Sequence, residues 1–477
     1  MPARKIVAEV GVPAAIAPGL ARLCERLAIP EAFPADALAA ADASAADPKP
    51  LPALDRTDIE LVTIDPPGSM DLDQALHIER SGSGYTVHYA IADVAAWVTP
   101  GDAVDAEAHR RGQTFYAPDQ RAALHPPRLS EDAASLLADG HARPAMLWTI
   151  ELDHDGVQTS ARVERAAVRS RARLTYDEVQ RDLDDGSAPD SLMLLEVVGR
   201  LREQVEVDRG GVSLNIPEQE IEAVGDQWRL KYRANLPVEG WNAQISLLTG
   251  AAAAQIMIEG EVGVLRTLPP ADQFAIDRLR HTAKGLKIRW PGTISYPDFV
   301  RSLDTSKPAH QAMVQACTML FRGAGYLAFD GQVPAENLLH GALAMEYAHT
   351  TAPLRRLVDR YVLETCCALT AGQEVPDWVR AELPGLPETM KESDARAKAY
   401  ERGIVDLLEA LVLQPRVGET FPAVVVTLDR DGTDGIVVIA DPAVEARAEG
   451  RLELGTEVKV RLVEADPALG KVRFAAV

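Results

Sequence analysis

The chain has 477 residues, of which 47% are hydrophobic and 25% are charged, a composition typical of a soluble globular protein with two to four domains. Its net charge of −22 argues against a protein that coats nucleic acid with its whole surface, although an enzyme that threads one strand needs positive charge only along its channel. The four cysteines form no Cys-x-x-Cys pair, which argues against a zinc site or a disulfide framework. No signal peptide or apolar run of membrane-spanning length is evident, so we expect a cytoplasmic protein that does not contact a membrane.

The first 50 residues are predicted to be helical. Leucine and alanine recur at helical spacing over residues 14–29, and a second short helix is predicted over residues 35–41. Residues 43–52, rich in Ala, Pro and Asp, are typical of a linker. We therefore predict a small helical N-terminal domain over residues 1–50. A helix-turn-helix is compatible with this segment, which is too short and too alanine-rich to establish one.

Residues 55–414 mix strand and helix signals without an obvious second linker, which favours one large α+β domain. Strands are predicted at 61–64, 85–92 and 147–152, and helices at 244–258, 309–320, 354–369 and 391–413. Residues 161–176 alternate, which predicts a strand with Arg169, Arg171 and Arg173 on one face. Residues 184–190 and 373–389 are predicted to be internal loops, the second of which contains Pro376, Pro384 and Pro387.

Residues 415–477 form a third predicted domain. Five short strands are expected between 420 and 475, separated by turns, and about sixty residues of this pattern suit an OB-fold barrel. The motifs around Val417-Gly418-Glu419 and Leu454-Gly455-Thr456 resemble an S1-type RNA-binding barrel. The alternative is a barrel used only for packing. Phe421 and Phe474 are its only aromatic residues, so its stacking platform would be weak.

An acidic cluster carries the densest chemistry of the sequence, in the run Thr63-Ile64-Asp65-Pro66-Pro67-Gly68-Ser69-Met70-Asp71-Leu72-Asp73-Gln74. A predicted strand ends at Asp65, and a loop returns to Asp71 and Asp73, whose side chains face the same way if the chain is extended. Converging carboxylates repel one another unless a cation neutralises them, and oxygen ligands suit Mg²⁺ or Mn²⁺. Such ions support phosphodiester hydrolysis. The alternative is a solvated acidic turn, which a chain with 71 acidic residues can contain.

A second motif reads Tyr347-Ala348-His349-Thr350-Thr351-Ala352-Pro353-Leu354-Arg355-Arg356-Leu357-Val358-Asp359-Arg360. It resembles a signature of the ribonuclease II / ribonuclease R (RNB) family, and the acidic run resembles the aspartate motif of the same family. Residues 90–94, 114–118, 127–130 and 174–179 resemble further family motifs in the family's order. The resemblance covers roughly residues 55–415. It implies an RNB catalytic domain in a multidomain α+β protein, between the small helical N-terminal domain and the C-terminal OB-fold (S1-type) β-barrel.

The activity that this resemblance implies is 3′→5′ exoribonuclease. Single-stranded RNA would be hydrolysed to nucleoside 5′-monophosphates by a two-metal-type mechanism, with Mg²⁺, or Mn²⁺, as the cofactor. No protein partner follows from the sequence, and we expect a monomer. Two alternatives remain: a catalytically impaired RNA-binding protein with the same fold, and a nuclease that acts on DNA.

The resemblance also assigns roles at the acidic end of the site. Asp65 and Asp71 match metal ligands, and Asp73 matches the aspartate on which catalysis in the family most depends. Arg355 matches an arginine that contacts phosphate at the scissile bond. Gln74 stands where the family usually has a fourth aspartate. Its amide oxygen can ligate a metal but brings no negative charge, so we expect a weaker second metal and a higher requirement for Mg²⁺ or Mn²⁺.

The remaining candidates are expected to contact RNA. Tyr116 matches an aromatic residue that stacks near the 3′-terminal nucleotide, Tyr176 resembles a tyrosine that shapes the RNA path, and Glu401 matches a glutamate near the terminal nucleotide. His349 is interpreted either as a phosphate contact or as a hydrogen-bonding support for another residue. Arg356 is predicted to lie with Arg355 on a helix that starts just after Pro353, where helix amides and a guanidinium would hold phosphate.

Two further basic features have open alternatives. Arg360 is expected to be a salt-bridged residue on the surface of the same helix. The most basic stretch of the chain contains Arg278, Arg280, His281, Lys284, Lys287 and Arg289. It would line the RNA entry or form a solvated helix face, and the sequence does not decide between them.

Overall fold

The N-terminal helices pack against two different parts of the molecule. The computed structural model of the chain describes residues 6–8, 14–117, 121–213, 218–224, 227–233, 235–304, 307–321, 323–429, 432–439, 441–442 and 444–477. It begins with strand β1 (Ile6–Ala8) and helices α1 (Ala17–Leu27) and α2 (Ala35–Ala46), so both expected helices are present. The linker predicted over residues 43–52 is wrong in part, because its alanine-rich beginning continues α2. Leu23 of α1 joins the core that contains the C-terminal strands, whereas Ala41 of α2 joins a core under the central sheet. A domain boundary at residue 50 stays a prediction.

The central sheet has six strands in the order β8-β7-β4-β3-β2-β9. All neighbouring pairs are antiparallel except β2 and β9, which are parallel. A separate two-stranded hairpin, β5-β6, lies outside it. The elements of this region are β2 (Leu61–Asp65), β3 (Gln74–Ser81), β4 (Gly84–Ala92), α3 (Ala103–Arg111), β5 (Phe115–Tyr116), β6 (Arg121–Ala122), β7 (Arg143–Leu152), β8 (Gln158–Val168) and β9 (Ser170–Thr175).

Strand β4 lies in the middle of this sheet and is buried along its whole length. Its side chains alternate between two cores: Val87 and Ile91 pack against the large helical cluster, and Ala90 and Ala92 pack on the opposite face. Alternation with a period of two follows from the pleat of a strand. The sheet is therefore covered on both faces, and the ends of its strands are left to carry polar side chains.

The prediction of one continuous strand with three arginines on one face is wrong. Strand β8 ends at Val168 and β9 begins at Ser170, so Arg169 lies between two strands. Strand β8 pairs with β7 at one edge of the sheet, whereas β9 crosses to the other edge and pairs with β2. Arg171 and Arg173 do lie on β9 and are exposed. Sequence alternation is the same on both sides of the break, because each half is a half-buried strand.

The helical half of the molecule packs on the sheet through α6, whose buried residues extend along its length and which contacts α5, α10 and β12. The elements that follow β9 in chain order are α4 (Tyr176–Asp184), α5 (Asp190–Arg209), β10 (Glu218–Val224), β11 (Gln227–Arg233), α6 (Pro237–Glu259), β12 (Val262–Thr267), α7 (Gln273–Gly285), α8 (Tyr296–Arg301), α9 (Pro308–Cys317), β13 (Gly325–Asp330), β14 (Leu339–His340), β15 (Met345–Glu346), α10 (Leu357–Thr370), α11 (Asp377–Glu382) and α12 (Leu386–Leu413). Strand β1 pairs with β10 in parallel.

The prediction of a loop over residues 373–389 is also wrong in part. Helix α11 and the first turn of α12 lie inside this range. The prolines that indicated a loop have a different role, since Pro376 immediately precedes α11 and Pro387 lies in the first turn of α12. Proline is favoured at helix starts because the amides there need no partner within the helix.

The C-terminal strands form a closed barrel in the order β16-β17-β18-β20-β19, which confirms the predicted OB-type architecture. The strands are β16 (Thr420–Leu428), β17 (Gly435–Ile439), β18 (Val444–Glu449), β19 (Glu457–Asp466) and β20 (Lys471–Ala476). The barrel core is continuous with residues of α1 and α12. In the ranges that the structure describes, no helix combines the length and the apolar composition that a bilayer span needs.

Candidate metal centre and the adjoining cleft

The acidic loop leaves the sheet at the end of β2 and returns to it at the start of β3. Its return segment is held by Ser135, whose hydroxyl accepts a hydrogen bond from the Leu72 amide at 2.9 Å and donates one to the Met70 carbonyl at 2.9 Å. Leu72 itself is fully buried. Because Leu72 is anchored in this way, the residues on either side of it, Asp71 and Asp73, are held in place within the loop.

Asp73 is the most buried of the three predicted carboxylates, with 4% of its surface exposed. Its Oδ1 accepts a hydrogen bond from the Leu354 amide at 2.7 Å, and its Oδ2 lies 3.8 Å from Nε of Arg355. Burial raises the pKa of Asp73 well above its usual range, although Arg355 opposes the shift. The tight contact joins the two sequence motifs, which are 281 residues apart.

Asp65 faces the same centre from the end of β2. Burial and the neighbouring charge of Asp71 raise the pKa of Asp65 to about 6, and the guanidinium groups of Arg355 and Arg173 offset only part of that effect. In the part of the chain that the structure describes, no donor forms a hydrogen bond to its carboxylate. Asp65 is therefore a desolvated carboxylate whose charge is poorly compensated by the protein.

Asp71 is held on both of its oxygens by the β5-β6 hairpin. The Tyr116 hydroxyl lies 3.4 Å from Oδ2, and Nη1 of Arg121 forms an ion pair with Oδ1. Tyr116 and Arg121 are register partners in this hairpin. Arg121 is itself held from the other side by Glu131, whose Oε1 lies 2.7 Å from Nη2. Sequence reasoning missed Arg121 and Glu131, because a return strand of two residues has no periodicity to detect.

Gln74, the first residue of β3, is engaged by a buried tyrosine. The hydroxyl of Tyr89 on β4 donates a hydrogen bond to Oε1 of Gln74 at 2.7 Å, and Tyr89 is 1% exposed. A carbonyl oxygen has a second lone pair, so this contact leaves one acceptor site on Gln74.

The chemistry of these residues fits a divalent cation. Two carboxylates with raised pKa values, Asp65 and Asp73, lie beside a third acidic side chain, and oxygen-only ligands are those that Mg²⁺ and Mn²⁺ prefer. Among the described residues, however, no three acidic, histidine or cysteine side chains converge as a preformed ligand cage. Arg121 and Arg355 carry part of the compensating charge in this structure.

The segment before α10 is a turn, which corrects the expectation of a helix starting just after Pro353. The helix begins at Leu357. Two amides that would have continued it backwards donate to carboxylates instead: Leu354 to Asp73, and Ala352 to Asp359 at 2.7 Å. These side-chain acceptors compete with helical hydrogen bonding. Backbone amides that were expected to hold phosphate are consequently used within the protein.

The two neighbouring arginines of the turn differ in their surroundings. Arg356 donates from Nε and Nη2 to the buried carboxylate of Asp359, both at 2.8 Å. The side chain of Arg355 is 41% exposed and faces Asp73. The prediction that Arg360 lies on the surface is wrong, because its guanidinium is buried and pairs with Asp105 at 2.6 Å. Arg355 is thus the member of this group that a ligand can reach most easily.

A cleft of about 240 Å³ adjoins the acidic loop through Arg355. Its walls come from β12, β14, α12 and the turn before α10, and the lining residues are Gln113, Arg266, Leu268, Phe321, Ala324, His340, His349, Arg355, Arg356, Asp394, Ala397, Lys398 and Glu401. The structure therefore brings four predicted RNA-contact residues together: His349, Arg355, Arg356 and Glu401.

His349 forms a half-buried part of the cleft wall. Burial and the positive charge of Arg356 lower the pKa of its imidazole well below the usual range. The Tyr326 hydroxyl lies 2.8 Å from Nδ1, so Nε2 is the nitrogen left for other contacts. A neutral imidazole at this position can donate or accept a hydrogen bond but does not neutralise phosphate.

Tyr176 and Tyr116 do not line the cleft. Tyr176 is the first residue of α4, and its hydroxyl accepts a hydrogen bond from Nδ2 of Asn242 at 3.0 Å. Burial raises the pKa of Tyr176 to about 12, and Asp65 contributes to that shift, which places this tyrosine beside the acidic loop. The two tyrosines therefore belong to the surroundings of Asp65 and Asp71.

Three charged residues of the cleft were missed by sequence reasoning. Arg266 on β12 pairs with Asp394 on α12 at 2.9 Å and stacks on the ring of Tyr326 at 4.4 Å, and Lys398 lies 3.9 Å from Asp394. Arg266 is more than a hundred residues from the other two in sequence, and no local motif links it to them. The predicted basic stretch does not reach this cleft. Arg280 stacks on Trp290 at 4.5 Å, and its proposed role in RNA entry stays a prediction.

The barrel presents no aromatic ring for base stacking. Phe421 and Phe474 are both buried in its interior, edge to face, with ring centroids 5.9 Å apart. Residues 419–477 contain 7 Lys and Arg against 11 Asp and Glu, a net charge of 7 − 11 = −4. Single-strand binding by barrels of this kind uses aromatic platforms and positive grooves, whereas this barrel has no exposed aromatic ring and a negative net charge.

Comparison with known protein families agrees with the fold. Residues 54–369 match the RNB domain, and residues 419–477 match the RNase II-type exonuclease C-terminal S1 domain. The chain therefore belongs to the RNB family, which confirms the resemblance found in the sequence.

Individual relatives support the same assignment. Ribonuclease R of Aquifex aeolicus is 26% identical over 457 residues, covering 86% of this chain and 63% of that protein. The structure of Mycoplasma genitalium RNase R in complex with ribose-methylated single-stranded RNA superimposes with a TM-score of 0.85 at 19% identity, covering 97% of this chain and 78% of that one. The structure of yeast Ssd1, described as a pseudonuclease, superimposes with a TM-score of 0.68 at 16% identity, covering 87% of this chain and 53% of that one. The chain spans less than two thirds of the Aquifex protein.

Proposed function

We propose that this protein is a 3′→5′ exoribonuclease that hydrolyses single-stranded RNA to nucleoside 5′-monophosphates. The observation that carries this proposal is the meeting of the desolvated carboxylates Asp65 and Asp73 with the exposed guanidinium of Arg355 at the edge of a cleft. Phosphodiester hydrolysis needs these two elements side by side, oxygen ligands for a cation and a positive group for phosphate. The direction of attack and the products are taken from the family.

Asp65, Asp71, Asp73 and Gln74 would hold the divalent metal, Mg²⁺ or Mn²⁺. The metal would supply an activated water and stabilise negative charge on the phosphate. The chain's own contribution is geometric: the Leu354 amide fixes Asp73, and Ser135 fixes the loop that carries Asp71 and Asp73. Arg355 would bind the phosphate next to the bond that breaks, and we assign catalytic roles to Asp73 and Arg355.

The cleft would bind the 3′ end of the RNA. Arg356 has Nε and Nη2 committed to Asp359, which leaves Nη1 for a phosphate oxygen. His349 would donate or accept through Nε2, and Glu401, which lines the cleft from α12, would accept from a ribose hydroxyl. Tyr116 and Tyr176 would contact nucleotides beside the acidic loop. That the related RNase R structures contain RNA supports RNA as the ligand class.

The second candidate is an RNA-binding protein with an impaired active site. Two observations favour it: the neutral Gln74 at a position where the family usually has an aspartate, and the structural likeness to a pseudonuclease. The retention of three buried or half-buried carboxylates at an energetic cost argues against it, because a site without catalysis has no need for them.

The deciding experiment is degradation of a 5′-labelled single-stranded RNA with Mg²⁺, and separately with Mn²⁺. Progressive shortening by the wild type, absent in Asp73→Asn although that variant still binds RNA, supports the proposal. Glu60→Gln serves as the matched control, since Glu60 is exposed and lies immediately before β2. Tight RNA binding without shortening, with either metal, would support the second candidate, an RNA-binding protein with an impaired active site. An all-deoxy oligomer degraded equally well would point to a nuclease without ribose selectivity.

A further inference from the structure

The four oxygen-bearing residues of the acidic loop are not equally available. Asp71 is engaged on both oxygens, by Tyr116 and by Arg121, and Oε1 of Gln74 accepts from Tyr89. In the described part of the chain, Asp65 accepts no hydrogen bond, and the polar contact found for Oδ2 of Asp73 is with Nε of Arg355, at 3.8 Å. The free carboxylate oxygens are therefore on Asp65 and Asp73, away from the Asp71–Gln74 side.

Arg121 is a fixed part of the site. It is opposite Tyr116 in the β5-β6 hairpin, so the same two-stranded ladder presents both groups to Asp71. Glu131 holds the other guanidinium nitrogen at 2.7 Å, and 21% of the Arg121 side chain is exposed. A guanidinium paired on two sides is restrained in its orientation, and its charge cannot be removed by deprotonation.

We propose that Arg121 supplies, from the protein, the positive charge that a second metal ion would bring to Asp71, so that the centre holds one divalent ion, for which Asp65 and Asp73 would supply the free carboxylate oxygens. This inference rests on the proposed function, and it narrows the four residues proposed to hold metal to these two. A tethered cation beside Asp71 repels a second divalent ion. Neutral Gln74 removes the negative charge that would attract one. Arg121 and Gln74 therefore both act against a second ion.

The test counts Mn²⁺ ions bound to the full chain, by electron paramagnetic resonance of the free ion at pH 8. The wild type should bind one tight ion. Arg121→Gln, which removes the charge and keeps a hydrogen-bonding side chain, should bind a second ion at least about tenfold more tightly than the wild type does. Arg121→Lys should behave like the wild type, because it keeps the charge.

The matched control is Arg128→Gln. Arg128 lies in the same segment and pairs with Asp132, and its side chain is 49% exposed, so its replacement changes the net charge equally without touching Asp71. It should bind Mn²⁺ as the wild type does. Two tight ions in the wild type would overturn the inference without any variant, as would equal ion counts in folded Arg121→Gln and Arg128→Gln.

RNA degradation, measured in parallel, separates this inference from the proposed function. If the protein shortens RNA and binds two tight ions whether or not Arg121 is present, the proposed function stands and the inference is refuted. If the wild type binds one ion, Arg121→Gln binds a second and neither shortens RNA, the inference stands and the proposed function is refuted.

Discussion

Replacing Asp65 by Asn should stabilise the metal-free protein. Burial and Asp71 raise the pKa of Asp65 from 3.8 to about 6, so the folded state binds this proton more tightly than the unfolded state does. The folded protein is therefore favoured below pH 3.8, and this contribution is lost as pH rises from 3.8 to about 6. Above that range the charged side chain costs about 3 kcal/mol, from the size of the shift at 1.36 kcal/mol per pKa unit.

The size of the thermal effect follows from chain length. Unfolding entropy of about 2.1 cal/mol/K per residue gives roughly 1 kcal/mol/K for this chain, so Asp65→Asn should raise the melting temperature by about 3 °C at pH 8 in the presence of a chelator. At pH 5, where the folded wild type is already mostly protonated at this site, the increase should shrink to about 1.5 °C. Saturating Mg²⁺ should stabilise the wild type and leave the variant nearly unchanged.

The assay is thermal unfolding of the wild type, Asp65→Asn and Glu60→Gln at both pH values, with chelator and with Mg²⁺. Glu60→Gln should change the melting temperature by less than about 0.5 °C, as exposed substitutions usually do. The reasoning is refuted if Asp65→Asn is no more stable than the wild type at pH 8 without metal, or if its advantage is the same at pH 5.

Three other outcomes are expected. Arg356→Lys should lower the free energy of unfolding by about 2 kcal/mol, because the bidentate pair with a buried carboxylate is lost. Arg355→Lys should instead leave the melting temperature nearly unchanged and lower the rate of RNA shortening at least about tenfold. Gln74→Asp should lower the Mg²⁺ concentration for half-maximal activity several-fold if added charge at this position strengthens metal binding, and an unchanged titration would contradict that role. Lys398→Ala in the cleft should weaken RNA binding at low salt by about 1 kcal/mol, while Lys459→Ala on the acidic barrel should change it by less than about twofold, as measured by fluorescence anisotropy; equal losses would show that the barrel also contacts RNA.

Much of the local structure could be predicted because its cause is local. The period-two pattern of β4 and the five strands of the barrel are both visible in the sequence, since each strand buries alternate residues. The prediction failed where one pattern has two causes. Of the alternating arginines, Arg169 lies between two strands, and Arg171 and Arg173 lie on the second of them, at the opposite edge of the sheet. The prolines that were taken as loop signals precede or begin helices.

The sequence by itself was enough to identify the family and to single out the carboxylates of the acidic run and the arginines of the second motif as candidate site residues. Each motif is a short stretch that can be recognised by its residue types and their spacing, whatever surrounds it in the fold. Only the tertiary structure decided how those residues are used. The contact from the Leu354 amide to Asp73 joins two segments 281 residues apart. Arg121 reaches Asp71 across a two-residue strand, and Arg355 differs from Arg356 only in what lies beside it. Desolvation and charge depend on every atom within several ångströms, whichever part of the chain supplies it, so the electrostatics of the site follow from the folded arrangement.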